Sequence, residues 1–330
     1  MTSGAHGFRS APESRAGATD VSVTSDAATG EAGFDPVGSL TFGTYRLAAM
    51  AARVLPGAAT RALSPALGFG ANVASGDRRE MITRHLRRVD PTLRGTRLRR
   101  AVQEAFDSYA RYWLESFRLP YLSASAVDRG MRTEGFENVT EGLAKGNGVI
   151  LALPHLGGWE WAGRWLVDLG HGLTVVVERL DPPELFDWFA ELRSKLGMKV
   201  VALGPSAGRE VIAALHRNDI VCLLCDRDIQ RNGVEVEFFG ETTTLPAGPV
   251  TVAMRTGAPI LPTAVYYSDR TTGHLGLVRP PLPLVRTDDG LHADVLRGTQ
   301  ALAHELEYLV RRAPQQWHMF QPNWPSDPGY

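Results

Sequence analysis

Apolar residues follow two rhythms along this chain. Between positions 39 and 118 they recur every three or four residues, the spacing of a helix that buries one face. "SLTFGTYRLAAMAARVLPG" places Leu40, Tyr45, Leu47, Met50, Val54 and Leu55 in this way, and further helices are predicted near 79–89 and 96–118. The last carries an aromatic stripe of Phe106, Tyr109, Trp113 and Phe117, again at helical spacing. From about 137 the rhythm changes. Short β-branched runs predict strands at 148–154, 173–178, 199–203, 220–225, 259–267 and 274–279. Helices are predicted between and after them, near 158–169, 183–196, 206–217, 247–256 and 293–312. Buried-strand runs separated by helices predict an α/β fold, a mostly parallel central sheet flanked by helices on both faces. The expected organisation is one domain over 38–330, with a helical, membrane-facing part at 38–118 and an α/β core at 119–330. Residues 1–37 hold almost no large apolar side chains and cannot offset the entropy of ordering, so a disordered tail is expected there.

The chain has 330 residues, 44% of them hydrophobic, which is ample for a sizeable core. The formal net charge of -1 points to no partner by itself. Charge is nonetheless uneven. Nine arginines lie between positions 78 and 100, opposed by Glu80 and Asp90 alone. They read as a solvated helical face or as a contact with anionic lipid headgroups, where each basic residue near the surface gains roughly 1 kcal/mol. Nucleic acid is not expected as a partner, because no groove-reading or single-strand motif accompanies the charge. The segment Leu40 to Leu55 is interrupted by Arg46 and Arg53 and stopped by Pro56, so it falls short of a membrane span. The first residues also lack the basic start and apolar core of a signal peptide. Cys222 and Cys225 sit in the strand-like "IVCLLCDRD", where side chains three apart point to opposite faces. No metal site is expected there, since zinc would need two more soft ligands. Buried thiols in a reducing compartment are.

Candidate chemistry gathers where predicted strands end and helices begin. "LALPHLGGWEWAG" ends an apolar strand at His155, turns through two glycines and enters a helix at Glu160. The glycines let the backbone turn tightly beside a substrate, and the first helical turn favours a carboxylate. A hydrogen-bonded core histidine is the plainer alternative. A metal site is disfavoured, because no second histidine lies one helical turn away. A second strand end supplies Asp226, Arg227 and Asp228, which read either as functional or as a salt-bridged loop. A third gives Glu178 and Arg179, and the helix within "LFDWFAELRSKLG" carries Arg193.

The order of these motifs carries a resemblance. "PHLGGWEWAG", then "ERL", then "RSKLG", then "DRDIQRNGVEVEFFG" and "TTTLPAGP" are similar to the lysophospholipid-acyltransferase-like superfamily. Within it the chain resembles the family of late lipid A acyltransferases, most closely its actinobacterial branch that acylates mannosylated phosphatidylinositol. "SYARYWLESFRLP" and "WHMFQPNW" extend the likeness over about 38–325. The resemblance implies a peripheral enzyme on the cytoplasmic face of the cell membrane. Such an enzyme moves a fatty acyl group, typically palmitoyl, from acyl-CoA to the 6-hydroxyl of a mannose. Its partners would be acyl-CoA, a mannosylated phosphatidylinositol acceptor and an anionic membrane surface, with no cofactor. His155 matches the family's histidine base, Glu160 its acidic partner and Asp226 the acidic residue paired with that histidine. Arg193 and Glu178 match active-site positions, and Arg227 and Arg179 lie near enough in sequence to serve substrate phosphates. The motif's acid is commonly Asp and here is Glu160, while relatives can carry Glu at the position of Asp226. Which carboxylate orients His155 stays open.

Elementary chemistry suits that expectation. A sugar hydroxyl is a poor nucleophile at neutral pH, and histidine is the side chain suited to take its proton there. A buried carboxylate on the second ring nitrogen would fix the tautomer. No G-x-S-x-G nucleophile elbow is present, and none is needed, because a CoA thiolate leaves readily. The competing readings are a related lipid acyltransferase fed by acyl carrier protein, a thioester hydrolase, and a catalytically idle membrane-binding protein.

Overall fold

The computed structural model describes residues 57–179, 183–268 and 273–330, all within one compact unit spanning Val37–Tyr330. The expected tail and the apolar segment Leu40 to Leu55 lie outside the described residues. Ten α-helices are described: α1 (Gly57–Ala74), α2 (Gly76–Val89), α3 (Gly95–Arg118), α4 (Ala124–Arg129), α5 (Glu137–Ala144), α6 (Trp159–Asp168), α7 (Pro183–Lys195), α8 (Ala207–His216), α9 (Gly248–Thr256) and α10 (Leu291–Arg311). The described strands are β1 (Met131–Glu134), β2 (Val149–Leu153), β3 (Leu173–Val177), β4 (Lys199–Ala202), β5 (Ile220–Leu224), β6 (Val234–Phe238), β7 (Glu241–Leu245), β8 (Ile260–Tyr267) and β9 (His274–Val278).

Seven strands form one sheet in the order β1-β9-β8-β2-β5-β3-β4. Strands β8, β2, β5, β3 and β4 are mutually parallel, β9 is antiparallel to β8, and β1 is parallel to β9. This is the mostly parallel α/β sheet that the alternating runs predict. Its cause is visible in β2, which is buried along its whole length. Ile150 and Ala152 join the core under α8, α9 and α10, whereas Val149, Leu151 and Leu153 join the core under α5 and α6. Period-2 alternation therefore feeds two apolar layers at once. Each such Leu or Ile, fully buried, gains about 1.5–3 kcal/mol. Cys222 faces one layer and Cys225 the other, both as free thiols, as the strand spacing requires.

Helices α2 and α3 pack on each other through Ile82, Leu86, Val102 and Phe106, and Phe320 from the C-terminal segment closes that cluster. The aromatic stripe of α3 is internal, with Phe106 edge-on to Phe320 and Trp113 against Phe189. Several elements escaped the sequence reading, the short helices α4 and α5 among them. Strand β1 is four residues at the sheet edge, half-buried on one face and exposed on the other. Helix α1 contains Pro65, which argues against a helix on sequence grounds. Strands β6 and β7 form a separate antiparallel hairpin across Phe239 and Gly240, both at positive φ. Its signal was present, because Val236 and Phe238 turn inward while Glu235 and Glu237 stay exposed.

Candidate active site

Register brings the first pair together. β2 and β5 are neighbours, with Leu153 opposite Leu224, so the residues two steps further on, His155 and Asp226, emerge side by side. His155 Nδ1 lies 2.6 Å from Asp226 Oδ1, and the His155 backbone N–H donates to Oδ2 at 2.8 Å. The indole N–H of Trp317 donates to the same Oδ2 at 2.7 Å, and the Asn323 side-chain amide donates to the Asp226 carbonyl at 2.9 Å. Asp226 is fully buried and the His155 side chain is 24% exposed. Burial would raise the Asp226 carboxyl, but the adjacent imidazole and these donors hold it below the usual carboxylate range. An ionised Asp226 accepts from Nδ1–H, which leaves Nε2 as the basic nitrogen of a partly open ring.

Glu160 takes a different partner. It sits in the first turn of α6, buried, and its Oε1 accepts from Arg193 Nε at 3.0 Å, from Arg193 Nη2, and from the Tyr112 hydroxyl at 3.2 Å. Burial works against the Arg193 charge, yet the Glu160 carboxylate raises it above the ordinary guanidinium value. Trp159 touches a partner of each carboxylate, its ring standing edge-on to His155 at 5.9 Å and packing on Tyr112 at 4.3 Å. The open question is thereby answered in geometry: Asp226 bonds the imidazole, and Glu160 bonds Arg193. Glu178 and Arg227 pair with each other at 3.6 Å across the ends of β3 and β5. Arg179 is exposed, its guanidinium 5.9 Å from the Phe186 ring. Asp228 ties its own loop, accepting from Gly233 N at 2.7 Å and Thr244 Oγ1 at 2.9 Å.

The two glycines act otherwise than the sequence reading expected. Gly157 has φ +64°, and a Cβ there would stand 1.9 Å from the Val265 carbonyl oxygen of β8. A Cβ on Gly158 would meet the His274 ring at 2.5 Å. Their close approaches are to the sheet behind them. The His155 turn is pressed onto β8 and β9, and two bonds seal it: Gly158 N–H to Val265 O at 3.0 Å and Gly157 N–H to Gln316 O at 2.9 Å.

An apolar cleft, lined in part by the Trp159 that touches His155, encloses about 590 Å³ of empty space, part of it open to solvent. Leu153, Val177 and Leu224 at the strand ends form its floor, Trp159 and Leu166 of α6 one wall, and Met198 its far side, with Glu160 and Arg193 as its polar lining. Cys222 also lines it, and burial pushes that thiol up to about 12, so it is a packing group rather than a nucleophile.

Sequence reasoning missed three residues here: Trp317, His318 and Asn323. The likeness in "WHMFQPNW" marked their segment without giving them a role, and they lie about ninety residues or more beyond Asp226. His318 is buried beside the pair; its backbone N–H donates to the His155 carbonyl at 2.7 Å and its Nε2 lies 2.9 Å from Ser108 Oγ. Burial first, then the charge of His155, hold the His318 ring down to about 3 and therefore neutral. Two arginines of the cluster have partners in the C-terminal segment. Arg84 donates to Ser326 O at 2.6 Å and reaches Asp327, and Arg88 bonds Glu241 and Asp327 at 2.8 Å and stacks 4.2 Å over Trp324. Those two side chains turn inward to hold the C-terminal segment. Arg78, Arg87, Arg97 and Arg99 remain exposed. Among the described residues no group of His, Cys, Asp and Glu is placed to hold a metal ion, and no helix is long and apolar enough to cross a membrane.

Known proteins share this arrangement of sequence. A phosphatidylinositol mannoside acyltransferase of Mycobacterium tuberculosis is 41% identical over 230 residues, covering 68% of this chain and 70% of the relative. One from Mycolicibacterium smegmatis is 38% identical over 229 residues, covering 68% and 73% respectively. The sequence profile of the bacterial lipid A biosynthesis acyltransferases matches residues 40–326, nearly the whole of the chain beyond its first residues. With a match of that extent, the chain belongs to the bacterial lipid A biosynthesis acyltransferase family, and it is an acyltransferase.

Proposed function

We propose that this acyltransferase moves a fatty acyl group, palmitoyl being the expected chain, from acyl-CoA to the 6-hydroxyl of a mannose on phosphatidylinositol mannoside, with His155 as general base. The carrying observation is the His155–Asp226 pair at 2.6 Å, aligned by strand register and joined through Trp159 to an apolar cleft. In the proposed step Nε2 of His155 takes the hydroxyl proton as the oxygen attacks the thioester carbon. The new C–O ester bond forms, the C–S bond breaks, and CoA leaves as a thiolate that the imidazolium can protonate. Asp226 holds the tautomer and balances the transient imidazolium charge. No covalent acyl-enzyme is involved. The cleft takes the acyl chain, each buried CH₂ contributing about 0.8 kcal/mol. Arg227 and Arg179, at the same strand ends, serve donor or headgroup phosphates, and Glu178 holds Arg227 in place. Glu160 supports Arg193 in the wall of the cleft rather than acting on the imidazole.

The acceptor and acyl-CoA both suit a site at the cytoplasmic face of the cell membrane. Leu63, Leu67, Phe69 and Val73 of α1 are exposed together and give an apolar face for the headgroup boundary, with the exposed arginines of α2 and α3 as a second, electrostatic signal. Purified enzyme with palmitoyl-CoA, assayed with and without mannosylated phosphatidylinositol, tests the function. Acceptor-dependent CoA release with an ester on mannose is expected. Release at the same rate without acceptor would make the protein a thioester hydrolase, and activity only with acyl carrier protein thioesters would replace the donor.

A further inference from the structure

The C-terminal segment reaches back to the His155 turn and to Asp226. Leu156 and Trp317 form an antiparallel bridge, and Gly157 N–H donates to Gln316 O at 2.9 Å. His318 N–H donates to His155 O at 2.7 Å, and the Asn323 amide donates to Asp226 O at 2.9 Å. These bonds fix the backbone on both sides of the pair. Only one contact from this segment reaches the reacting carboxylate itself, the indole N–H of Trp317 on Asp226 Oδ2 at 2.7 Å. The segment is not a loose tail. Asp327 binds His85 at 3.1 Å and Arg88 at 2.8 Å on α2, and accepts from the backbone N–H groups of Asn323 and Trp324. Trp317 is buried among Phe238, Phe239 and Trp324, so its indole has one orientation to offer.

We infer that Trp317 is a positioning residue: its indole N–H fixes the rotation of the Asp226 carboxylate, so that Oδ1 faces Nδ1 of His155 and Nε2 faces the acceptor hydroxyl. The inference rests on the proposed role of His155 as base. The physical reason is that a carboxylate has a free torsion at its terminal bond, broad and two-fold in its preference. Oδ2 receives two donors, the His155 backbone N–H and the indole N–H, and together they hold that torsion. Without the indole a single donor remains, the ring loses its aligned partner, and the base points less often at substrate. Partners that orient a metal-bound histidine through its second nitrogen carry about 10–100-fold in affinity or activity, and a loss of the same order is expected here.

The test is the Trp317→Phe variant, which keeps an aromatic ring and removes the donor, measured in two backgrounds. In otherwise wild-type enzyme kcat should fall about 10–100-fold with KM within about two-fold. In Asp226→Ala enzyme the same change should cost less than about two-fold, because its point of action is gone. Replacing Trp317 by 3-benzothienylalanine, the isostere with sulfur in place of N–H, should repeat the loss without altering the packing. Equal losses in both backgrounds, or wild-type turnover in the isostere, would overturn the inference. If His155→Ala retained full activity, the general-base reading would fail instead, and the two failures are separable because one concerns His155 and the other Trp317.

Discussion

Replacing Gly157 by alanine should separate a backbone torsion effect from a packing effect, because a matched control exists. Gly157 and Gly240 have nearly the same torsion, φ +64° and +75°. A Cβ on Gly240 meets nothing within 4 Å, so Gly240→Ala should cost only the left-handed penalty of about 1–2 kcal/mol. A Cβ on Gly157 would stand 1.9 Å from the Val265 carbonyl oxygen, which belongs to backbone and cannot swing aside. The turn must retreat by about 1 Å. That retreat breaks the bonds from Gly158 N–H to Val265 O and from Gly157 N–H to Gln316 O. At roughly 1 kcal/mol per bond, Gly157→Ala should cost about 3–4 kcal/mol in all. It should also displace His155, and a misplacement near 1 Å at a reacting group costs on the order of 10²-fold in rate. Denaturant unfolding of both variants gives the stabilities, and acyl-transfer rates below the melting range give the second reading. Equal destabilisation of the two variants, with activity intact in both, would refute the claim that the turn is held against β8.

Three further outcomes follow from the same geometry. His318 has a folded value near 3 against about 6.5 in an unfolded chain, so the unfolded state binds one more proton between those limits. Its contribution is whole well above pH 6.5 and is lost as pH falls toward 3, at up to about 1.4 kcal/mol per unit, so the stability-versus-pH curve of His318→Gln should be shallower by nearly one proton across about pH 4–5.5. Parallel curves would count against a buried neutral ring. Arg193→Met strands the buried Glu160 carboxylate and should cost about 3–5 kcal/mol, most of it recovered in the Arg193→Met, Glu160→Gln double variant; a single-variant cost below about 1 kcal/mol would show the pair to be solvated. For the lipid surface, Leu67→Glu with Phe69→Glu should sharply reduce co-sedimentation with anionic liposomes. Arg84→Ala and Arg88→Ala should lower thermal stability instead, since these side chains bind Asp327; liposome binding that follows Arg84 and Arg88 and ignores Leu67 and Phe69 would reverse that assignment.

The central sheet was legible because β2, β3 and β5 need apolar residues on both faces, and Val149 to Leu153 shows this without any neighbour. Strand order was not legible. It is β2 beside β5, with β3 beyond, that makes Asp226 rather than Glu160 the partner of His155. Sequence proximity favours Glu160, five positions away, but those five residues include the turn and the start of α6, which carry its side chain to Arg193 instead. Trp317, His318 and Asn323 escaped because their role depends on a long-range return of the chain, and aromatic and amide side chains carry no charge pattern to mark it. Arg84 and Arg88 of α2 illustrate the opposite error. Their spacing looks like a basic surface, and only the fold reveals that Asp327 lies within reach of Arg84 and Arg88.

The central claim is that an ionised Asp226 holds His155 as the base. Asp226→Asn tests it most directly, because the amide keeps the shape of the side chain but can hold the imidazole in the wrong tautomer. Turnover of palmitoyl-CoA with mannosylated phosphatidylinositol should fall on the order of 10³–10⁴-fold, with the melting temperature little changed. Turnover within tenfold of wild type, in a folded Asp226→Asn enzyme, would contradict the account.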